Sequence, residues 1–299
     1  MVIDPQILTS EIERCINVAL EEDLGKEGDI TTLSVVNKNV TGRARVITKA
    51  EGIIAGLHVA IKVFQKLDPN IKVENSVEEG SFVKSGDEIL VIKGKGHALL
   101  AGERTALNFL GRLSGIATLT KRFVDQVSGL GISILETRKT TPGLRVLEKY
   151  AVSIGGGENH RIGLFDRILL KENHFSLSGE GEGIEGYKRT IMKAVKLGRG
   201  KGPVTAEARN FEEVMGAVEA GADIILLDNM SVQEMRNAIE SAKKIMREMG
   251  REVLFEASGG VNLDNVLEIA KTGVDRISIG ALTHSVKPLD LSMLILKVD

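Results

Sequence analysis

Arg138 and Lys139 stand in ETRKTTPG, His160 and Arg161 in GGGENHRIG, and Lys171 closes the apolar run of FDRILLKENH. The chain carries a formal net charge of only −2 over 299 residues, so this is a local concentration of positive groups in a nearly neutral protein. Guanidinium groups meet carboxylates and phosphates through paired, planar donors, and lysine adds a mobile point charge. A pocket built from these side chains suits a small substrate with several negative charges.

The elements that must hold these residues are visible around them. From about residue 130 onward, ISILE, RILLK, PVTAEA, DIILLD, VLFEA and DRISIG are short apolar runs. Helical stretches such as GYKRTIMKAVKLG, FEEVMGAVEAGA, SVQEMRNAIESAKKIMREMG and LDNVLEIAKTGV lie between several of them. Strands alternating with helices predict a parallel sheet with right-handed crossovers. Continuous apolar strands predict burial on both sheet faces. Each run ends in polar or special residues: Glu136 to Lys139, Lys171, Glu207, Asp228, Glu256 to Gly260, and Ser278 to Gly280. In a (β/α) barrel the active site forms at those carboxyl ends, and Gly-rich loops after the last strands bind phosphate with backbone N–H groups. EASGG and SIGALTHS fit that position. About six such strands are legible. A barrel built from them is either incomplete or has a cryptic strand.

The earlier part of the chain has a different texture. MVIDPQILTSEIERCINVALEEDLG reads as an amphipathic helix, capped at Asp4-Pro5 or Ser10, with a stripe of Ile12, Cys15, Ile16, Ala19 and Leu20. It has neither the basic start nor the unbroken apolar core of a signal peptide. Residues 30–100 hold short β-like runs punctuated by Gly. EEGSFVKSGDEILVIKG resembles a carrier-domain hairpin but lacks the modified-lysine tip, so it reads as architecture. Residues 98–127 are helical in period, and Gly111 and Gly115 within them suggest a close backbone approach.

Composition narrows the function class. The chain is 42% hydrophobic and 27% charged, as an ordinary globular protein is. It has no long Lys/Arg block, no Trp and 3% aromatic residues, which argues against a nucleic-acid partner. Its apolar stretches fall short of the ~20 residues that a membrane span needs. A single cysteine, Cys15, excludes an internal disulfide and reads as a packed thiol, which suits a reducing cytoplasm.

ETRKTTPGLRVLEKYAVSIGGGENHRIGLFDRILLKENH resembles the signature of the quinolinate phosphoribosyltransferase family. LEEDLGKEGDITT, AGERTALNFLGRLSGIAT, ILLDNM, EASGGVN and ISIGALTHS follow the same family order. The resemblance covers most of the chain. It implies an α/β fold with an N-terminal α/β sandwich domain over residues 1–115 and an incomplete (β/α) barrel over 116–299. The last residues would pack back on the first domain. It implies transfer of phosphoribosyl from 5-phosphoribosyl 1-pyrophosphate to quinolinate. Nicotinate mononucleotide, pyrophosphate and CO2 are released, a step of NAD biosynthesis, with Mg²⁺ as cofactor. It also implies a cytoplasmic homodimer or larger homo-oligomer whose sites are shared between subunits.

By the same resemblance, Thr137, Arg138, Lys139, His160 and Arg161 line the quinolinate pocket, and Arg104 of GERT arrives from a partner subunit. Lys171 bridges toward the phosphoribosyl side. Lys139, Lys171, Glu207 and Asp228 are the catalytic set, and Glu207 and Asp228 hold ribose hydroxyls or Mg²⁺, directly or through water. Ser258, Gly259 and Gly260, with Ser278, Ile279 and Gly280, cradle the 5′-phosphate, and His284 is a weaker candidate just beyond.

Two segments depart from the family pattern. Where relatives carry alternating acids in a pattern like EVEVEN, this chain has TAEARN, with Thr205 and Arg209 flanking Glu207. Strand alternation would place all three on one face, giving it an added charge. The segment 176–188, SLSGEGEGIEGYK, reads as an acidic mobile loop. Other readings stay open at this point. They are a paralogous transferase using nicotinate or associated with molybdenum transport, a Schiff-base aldolase with Lys171 as nucleophile, and a non-catalytic nucleotide sensor.

Overall fold

The computed structural model describes residues 3–198 and 200–298. They form two compact units that interleave along the chain. One comprises 122–138 and 157–281, and the other runs through 121 and takes in 139–156 and 282 onward.

The second unit begins with helix α1 (Pro5–Leu24). Asp4 accepts the Gln6 N–H at 2.7 Å, and Pro5 occupies the first turn. There its missing N–H costs nothing. The expected stripe is the buried one: Ile12, Cys15, Ile16 and Leu20 face the core. After α2 (Ile30–Val35) come β1 (Thr41–Thr48), β2 (Gly52–Ile53), α3 (Leu57–Leu67), β3 (Lys72–Ser76), β4 (Phe82–Val83) and β5 (Glu88–Lys95). β1 alternates buried and exposed positions along most of its length, as a sheet with one packed face requires. The final strand β12 (Leu291–Val298) pairs antiparallel with β1, giving the sheet order β12-β1-β5-β3. Val46, Leu90, Phe64, Leu110 and Leu147 belong to the core of this unit.

Helix α4 (Gly96–Gln126) is continuous through Gly111 and Gly115. A side chain at Gly111 would meet the Leu289 carbonyl at 2.9 Å, and at Gly115 it would collide with the Lys287 carbonyl. The two glycines therefore admit the strap leading to β12, and the Leu289 N–H donates to the Gly111 carbonyl at 2.9 Å. Helix α5 (Arg145–Ile154) completes the unit and packs on α1.

The first unit is a parallel sheet of six strands. These are β6 (Ser133–Leu135), β7 (Ile168–Leu170), β8 (Val204–Ala208), β9 (Ile224–Asp228), β10 (Leu254–Ser258) and β11 (Arg276–Ser278), in the order β6-β11-β10-β9-β8-β7. They are the six runs read from the sequence. All five pairings are parallel, and β6 and β7 do not pair with each other. The sheet is thus an open, incomplete barrel. Its strands are apolar and largely buried, with every residue of β8 buried.

The connecting helices are α6 (Glu172–Leu177), α7 (Gly183–Leu197), α8 (Phe211–Ala220), α9 (Val232–Met249), α10 (Val266–Ala270) and the single turn α11 (Ala281–His284). α9 starts on a reciprocal cap in which Ser231 and Glu234 satisfy each other's backbone N–H. The segment read as a mobile loop is mostly helical: residues 183–188 are the first turns of α7. Arg189 donates to the Glu180 carbonyl, and Lys193 pairs with the Glu180 carboxylate at 2.6 Å. The acidic run looks solvated in sequence because the partners of Glu180 lie nine and thirteen residues later.

Candidate active site

The carboxyl ends of the six parallel strands converge on the residues picked out by type and spacing. β6 delivers Glu136, Thr137 and Arg138. Glu136 is completely buried. Its Oε1 accepts the His160 N–H at 3.1 Å, and the Glu158 N–H donates to the Ile134 carbonyl at 2.8 Å. A short parallel bridge between Leu135 and Glu158 lays this segment along β6. His160 and Arg161 are thereby carried to the same strand end as Arg138.

Arg161 is buried, and its Nη1 donates to the Arg167 carbonyl at 3.0 Å. Burial, together with the like charge of Arg138, pulls the Arg161 guanidinium below its ordinary range, against the opposing pull of Asp166. The Nε atoms of both arginines are buried with no hydrogen-bond partner. Two like-charged guanidinium groups at one strand end, each with an unmet donor, have the chemistry to hold a small polyanion. His160 braces this pair. Its Nδ1 accepts the Arg161 N–H at 2.8 Å, and its Nε2 lies 3.3 Å from Glu256 Oε1. An accepting Nδ1 puts the ring proton on Nε2, facing the carboxylate. Burial alone would raise the Glu256 carboxyl; the polar His160 ring 3.3 Å away, with Ser278 and Arg276 beside it, outweighs burial and holds it below the ordinary range.

The opposite side is acidic. Lys171 is exposed at the end of β7, and its Nζ stands 3.6 Å from Glu207 Oε2 at the end of β8. Glu207 Oε1 accepts the Glu172 N–H at 3.2 Å, so one carboxylate faces both the lysine and the backbone beside it. Tyr187 is buried behind β8 and donates to the Glu207 carbonyl at 2.8 Å. Arg209 lies one residue past the end of β8. Its guanidinium goes to Glu172 and Glu213, so its added charge is neutralised beside Glu207 by other carboxylates. Asp228 closes β9. The next residue, Asn229, has a left-handed backbone (φ 55°), uncommon for a non-glycine residue. Its N–H donates to the Ser258 carbonyl, and its side-chain amide donates to Asp228 Oδ2, both at 2.9 Å.

Ser258, Gly259 and Gly260 follow at the end of β10. Gly259 has φ 95°, and a Cβ there would collide with the Asn229 amide. The glycine is therefore required both by backbone conformation and by the side chain over it. Ser278 Oγ donates to the Ala257 carbonyl at 3.4 Å, and the Ile279 N–H donates to the Leu135 carbonyl at 2.8 Å. Ile279 thus uses its backbone donor to extend the β6–β11 pairing. Gly280 follows it. His284 is exposed, with Nδ1 2.6 Å from Ser285 Oγ.

Arg104 and Lys139 belong to the other compact unit. Arg104 is exposed on α4 and lines a cavity of about 380 Å³ with Asn108, Arg112, Cys15 and Pro142. Burial raises the Cys15 thiol, against the lowering charge of Arg14, which makes it a packed thiol and a poor nucleophile. In the same unit, Arg112 Nη2 pairs with the fully buried Glu148 at 2.8 Å, and Thr141 N–H donates to the same carboxylate at 3.1 Å. The Lys139 carbonyl accepts from Thr283 Oγ1 at 2.9 Å.

Sequence reading gave no role to Glu136, Glu172, Asn229 or Glu256. Glu136 and Glu256 were visible only as polar residues at strand ends, because burial and partners are set by tertiary structure. For Asn229 the one sequence signal is its place between Asp228 and Met230 at a strand end.

Two family models match the chain: Quinolinate phosphoribosyl transferase, N-terminal domain, over residues 29–114, and the C-terminal domain of the same family over 116–294. The chloroplastic nicotinate-nucleotide pyrophosphorylase [carboxylating] of Oryza sativa subsp. japonica is 40% identical, covering 100% of this chain and 80% of the relative. The crystal structure of NadC from Streptococcus pyogenes superposes with a TM-score of 0.87 at 33% identity, over 99% of this chain and 100% of that one. The nicotinate-nucleotide pyrophosphorylase from Francisella tularensis gives 0.86 at 38% identity, over 96% of both chains.

Proposed function

This chain belongs to the quinolinate phosphoribosyltransferase family, and from that premise we infer that it transfers phosphoribosyl from 5-phosphoribosyl 1-pyrophosphate to quinolinate with loss of CO2. It is a pentosyltransferase of NAD synthesis. The observation that carries the reading is the pair of buried, partnerless guanidinium Nε atoms on Arg138 and Arg161. Quinolinate has two adjacent carboxylates, and two arginines match them better than one carboxylate matches two arginines.

The reaction follows from the groups at the strand ends. Quinolinate docks on Arg138 and Arg161, whose mutual repulsion it relieves. His160, held between the Arg161 backbone and Glu256, keeps that arginine in place. Lys171 lies toward the phosphoribosyl side, tethered to Glu207, and its charge faces the phosphates. As pyrophosphate departs, the ribosyl C1 gains oxocarbenium character, which the Glu207 and Asp228 carboxylates stabilise while holding the ribose hydroxyls. The pyridine nitrogen attacks C1, the alkylated ring acts as an electron sink, the bond from C2 to its carboxylate breaks with loss of CO2, and the electron pair left at C2 takes up a proton from water. No enzyme nucleophile is needed. Gly259 and Gly260, both in left-handed conformations, turn the chain so that backbone donors can approach the 5′-phosphate.

Among the described residues no three His, Cys, Asp or Glu side chains gather into a metal cage. The donor set of Glu207 and Asp228 fits Mg²⁺, which commonly takes one or two carboxylates and completes its shell with water and substrate phosphates. When bound, the ion would neutralise the pyrophosphate leaving group. The shared site is also part of the reading: Arg104, exposed on α4, would serve the pocket of a second copy in a homodimer. The buried thiol of Cys15 suits a reducing compartment such as the cytoplasm.

Calorimetric binding of quinolinate and nicotinate tests the choice of substrate. The dicarboxylate should bind more tightly to the wild type, and Arg161→Lys should narrow the gap by about tenfold, the cost of losing one bidentate partner. Equal or tighter binding of nicotinate by the wild type would reject the dicarboxylate reading in favour of a nicotinate-using paralogue.

A further inference from the structure

Arg209, just past the end of β8, has a structural role. Arg209 sits between two carboxylates from neighbouring elements: Nη1 pairs with Glu172 Oε1 at 2.7 Å, and Nη2 with Glu213 Oε1 at 3.3 Å. Its own N–H donates to the other oxygen of Glu213 at 2.7 Å. Glu213 is anchored in turn, because its backbone N–H is capped by the Asn210 side chain at 2.9 Å. The two carboxylates raise the Arg209 guanidinium further above its ordinary range, Glu213 more than Glu172.

Glu172 connects this cluster to the site. Its side chain is held by Arg209, and its backbone N–H is bonded to Glu207 Oε1. The residue before it is Lys171, whose N–H donates to His174 Nδ1 at 2.9 Å and whose Nζ faces the second oxygen of Glu207. A continuous chain of polar contacts thus runs from Glu213 through Arg209 and Glu172 to Glu207 and Lys171. An acid at position 209 would bring three carboxylates together and push Glu172 outward. The Glu172 backbone could not move without disturbing both its bond to Glu207 and the adjoining lysine.

We propose that Arg209 is a positioning residue, clamping the β7–α6 turn to the end of β8 so that Lys171 and Glu207 are held aligned for the phosphoribosyl substrate. The clamp rests on the phosphoribosyltransferase reading of the same site. It acts through Glu172, touches no reacting atom, and belongs to the side of the site that faces the ribose and phosphates. Arg138 and Arg161 lie outside it.

Steady-state kinetics with each substrate varied in turn test the clamp on the full-length chain, with melting temperature as the control for folding. In Arg209→Ala, kcat/KM for 5-phosphoribosyl 1-pyrophosphate should fall about three- to tenfold, the scale set by two exposed ion pairs. The KM for quinolinate should stay within about twofold, because its arginines are not in the network. Arg209→Lys should recover part of the loss, and Arg209→Glu should be worse than Arg209→Ala. Combining Glu172→Arg with Arg209→Glu should regain activity over Arg209→Glu alone, which simple loss of a surface residue would not do. An active wild type whose Arg209→Ala form has unchanged kinetics, or in which both KM values move equally, overturns the clamp alone. A wild type without turnover overturns the functional reading, and the clamp with it.

Discussion

Arg138 and Arg161 illustrate how a residue type becomes a function only through its surroundings. As surface side chains they would be solvated charges; here Arg161 is buried beside the like charge of half-buried Arg138, and each has a buried Nε with no hydrogen-bond partner. Sequence spacing found both, because ETRK follows a strand and NHR follows a glycine run. It could not find Glu256, whose importance rests on being 1% exposed and 3.3 Å from His160. The folded Glu256 carboxyl lies below its ordinary value of 4.5. Its stabilising contribution is therefore present above that value and is lost as pH falls through the lower folded one. Glu256→Gln should accordingly cost stability near neutrality, with the difference from wild type closing on acidification below about pH 4.5. Urea unfolding at a series of pH values checks the sign: a gap that widens toward acid would contradict it. Asn229 and Gly259 form a second residue-level constraint. Gly259→Ala should destabilise by about 1–3 kcal/mol, through a strained φ and the clash with Asn229. A melting curve matching wild type would show that the loop relaxes freely.

At the scale of elements, the six barrel strands were legible because each is a short apolar run with a polar end, and the strand order follows the chain apart from the opening between β6 and β7. Boundaries were less legible. β6, β7 and β11 are only three residues long, so the sequence runs ISILE and RILLK overstate them. α5 is hidden in the signature motif, because its buried face includes the charged Glu148 and Lys149 and so breaks the apolar period of LRVLEKYAV. Its Glu148 is completely buried and pairs with Arg112 of α4. Removing Glu148 leaves the partly exposed Arg112 guanidinium and the Thr141 N–H without their partner, so Glu148→Ala should destabilise by about 2–3 kcal/mol. Denaturant unfolding that shows a loss under about 1 kcal/mol would mean the pair is better solvated than its geometry indicates. The acidic segment 176–188 hides its order for a related reason: the arginine and lysine that hold Glu180 lie on α7, nine and thirteen residues further on.

At the scale of the molecule, the fold separates two tasks. The sheet unit with α1 and α5 has an apolar core and a long helix, α4, that carries Arg104 on its exposed face. The barrel unit collects the remaining site residues, Lys139 apart, at its strand ends. If the site is completed by a second copy, two defective chains should complement each other. Mixing Arg104→Ala with Lys171→Ala subunits should restore up to about a quarter of wild-type activity, since a random dimer of which half are hybrids carries one intact site in each hybrid. Mixtures no more active than either parent would place Arg104 outside the partner's site. The family, the fold class and the cationic strand ends were all readable from motif order. How the acids pair with those cations was not, because it depends on neighbours brought together by parallel strands far apart in sequence.

The central claim is the chemistry at those strand ends, and product stoichiometry tests it most directly. Purified chain with Mg²⁺, quinolinate labelled in its 2-carboxylate and 5-phosphoribosyl 1-pyrophosphate should release CO2, pyrophosphate and nicotinate mononucleotide in equal amounts. Arg138→Ala and Arg161→Ala should each abolish all three together. Pyrophosphate release without CO2, or turnover that survives loss of both arginines, would contradict the account.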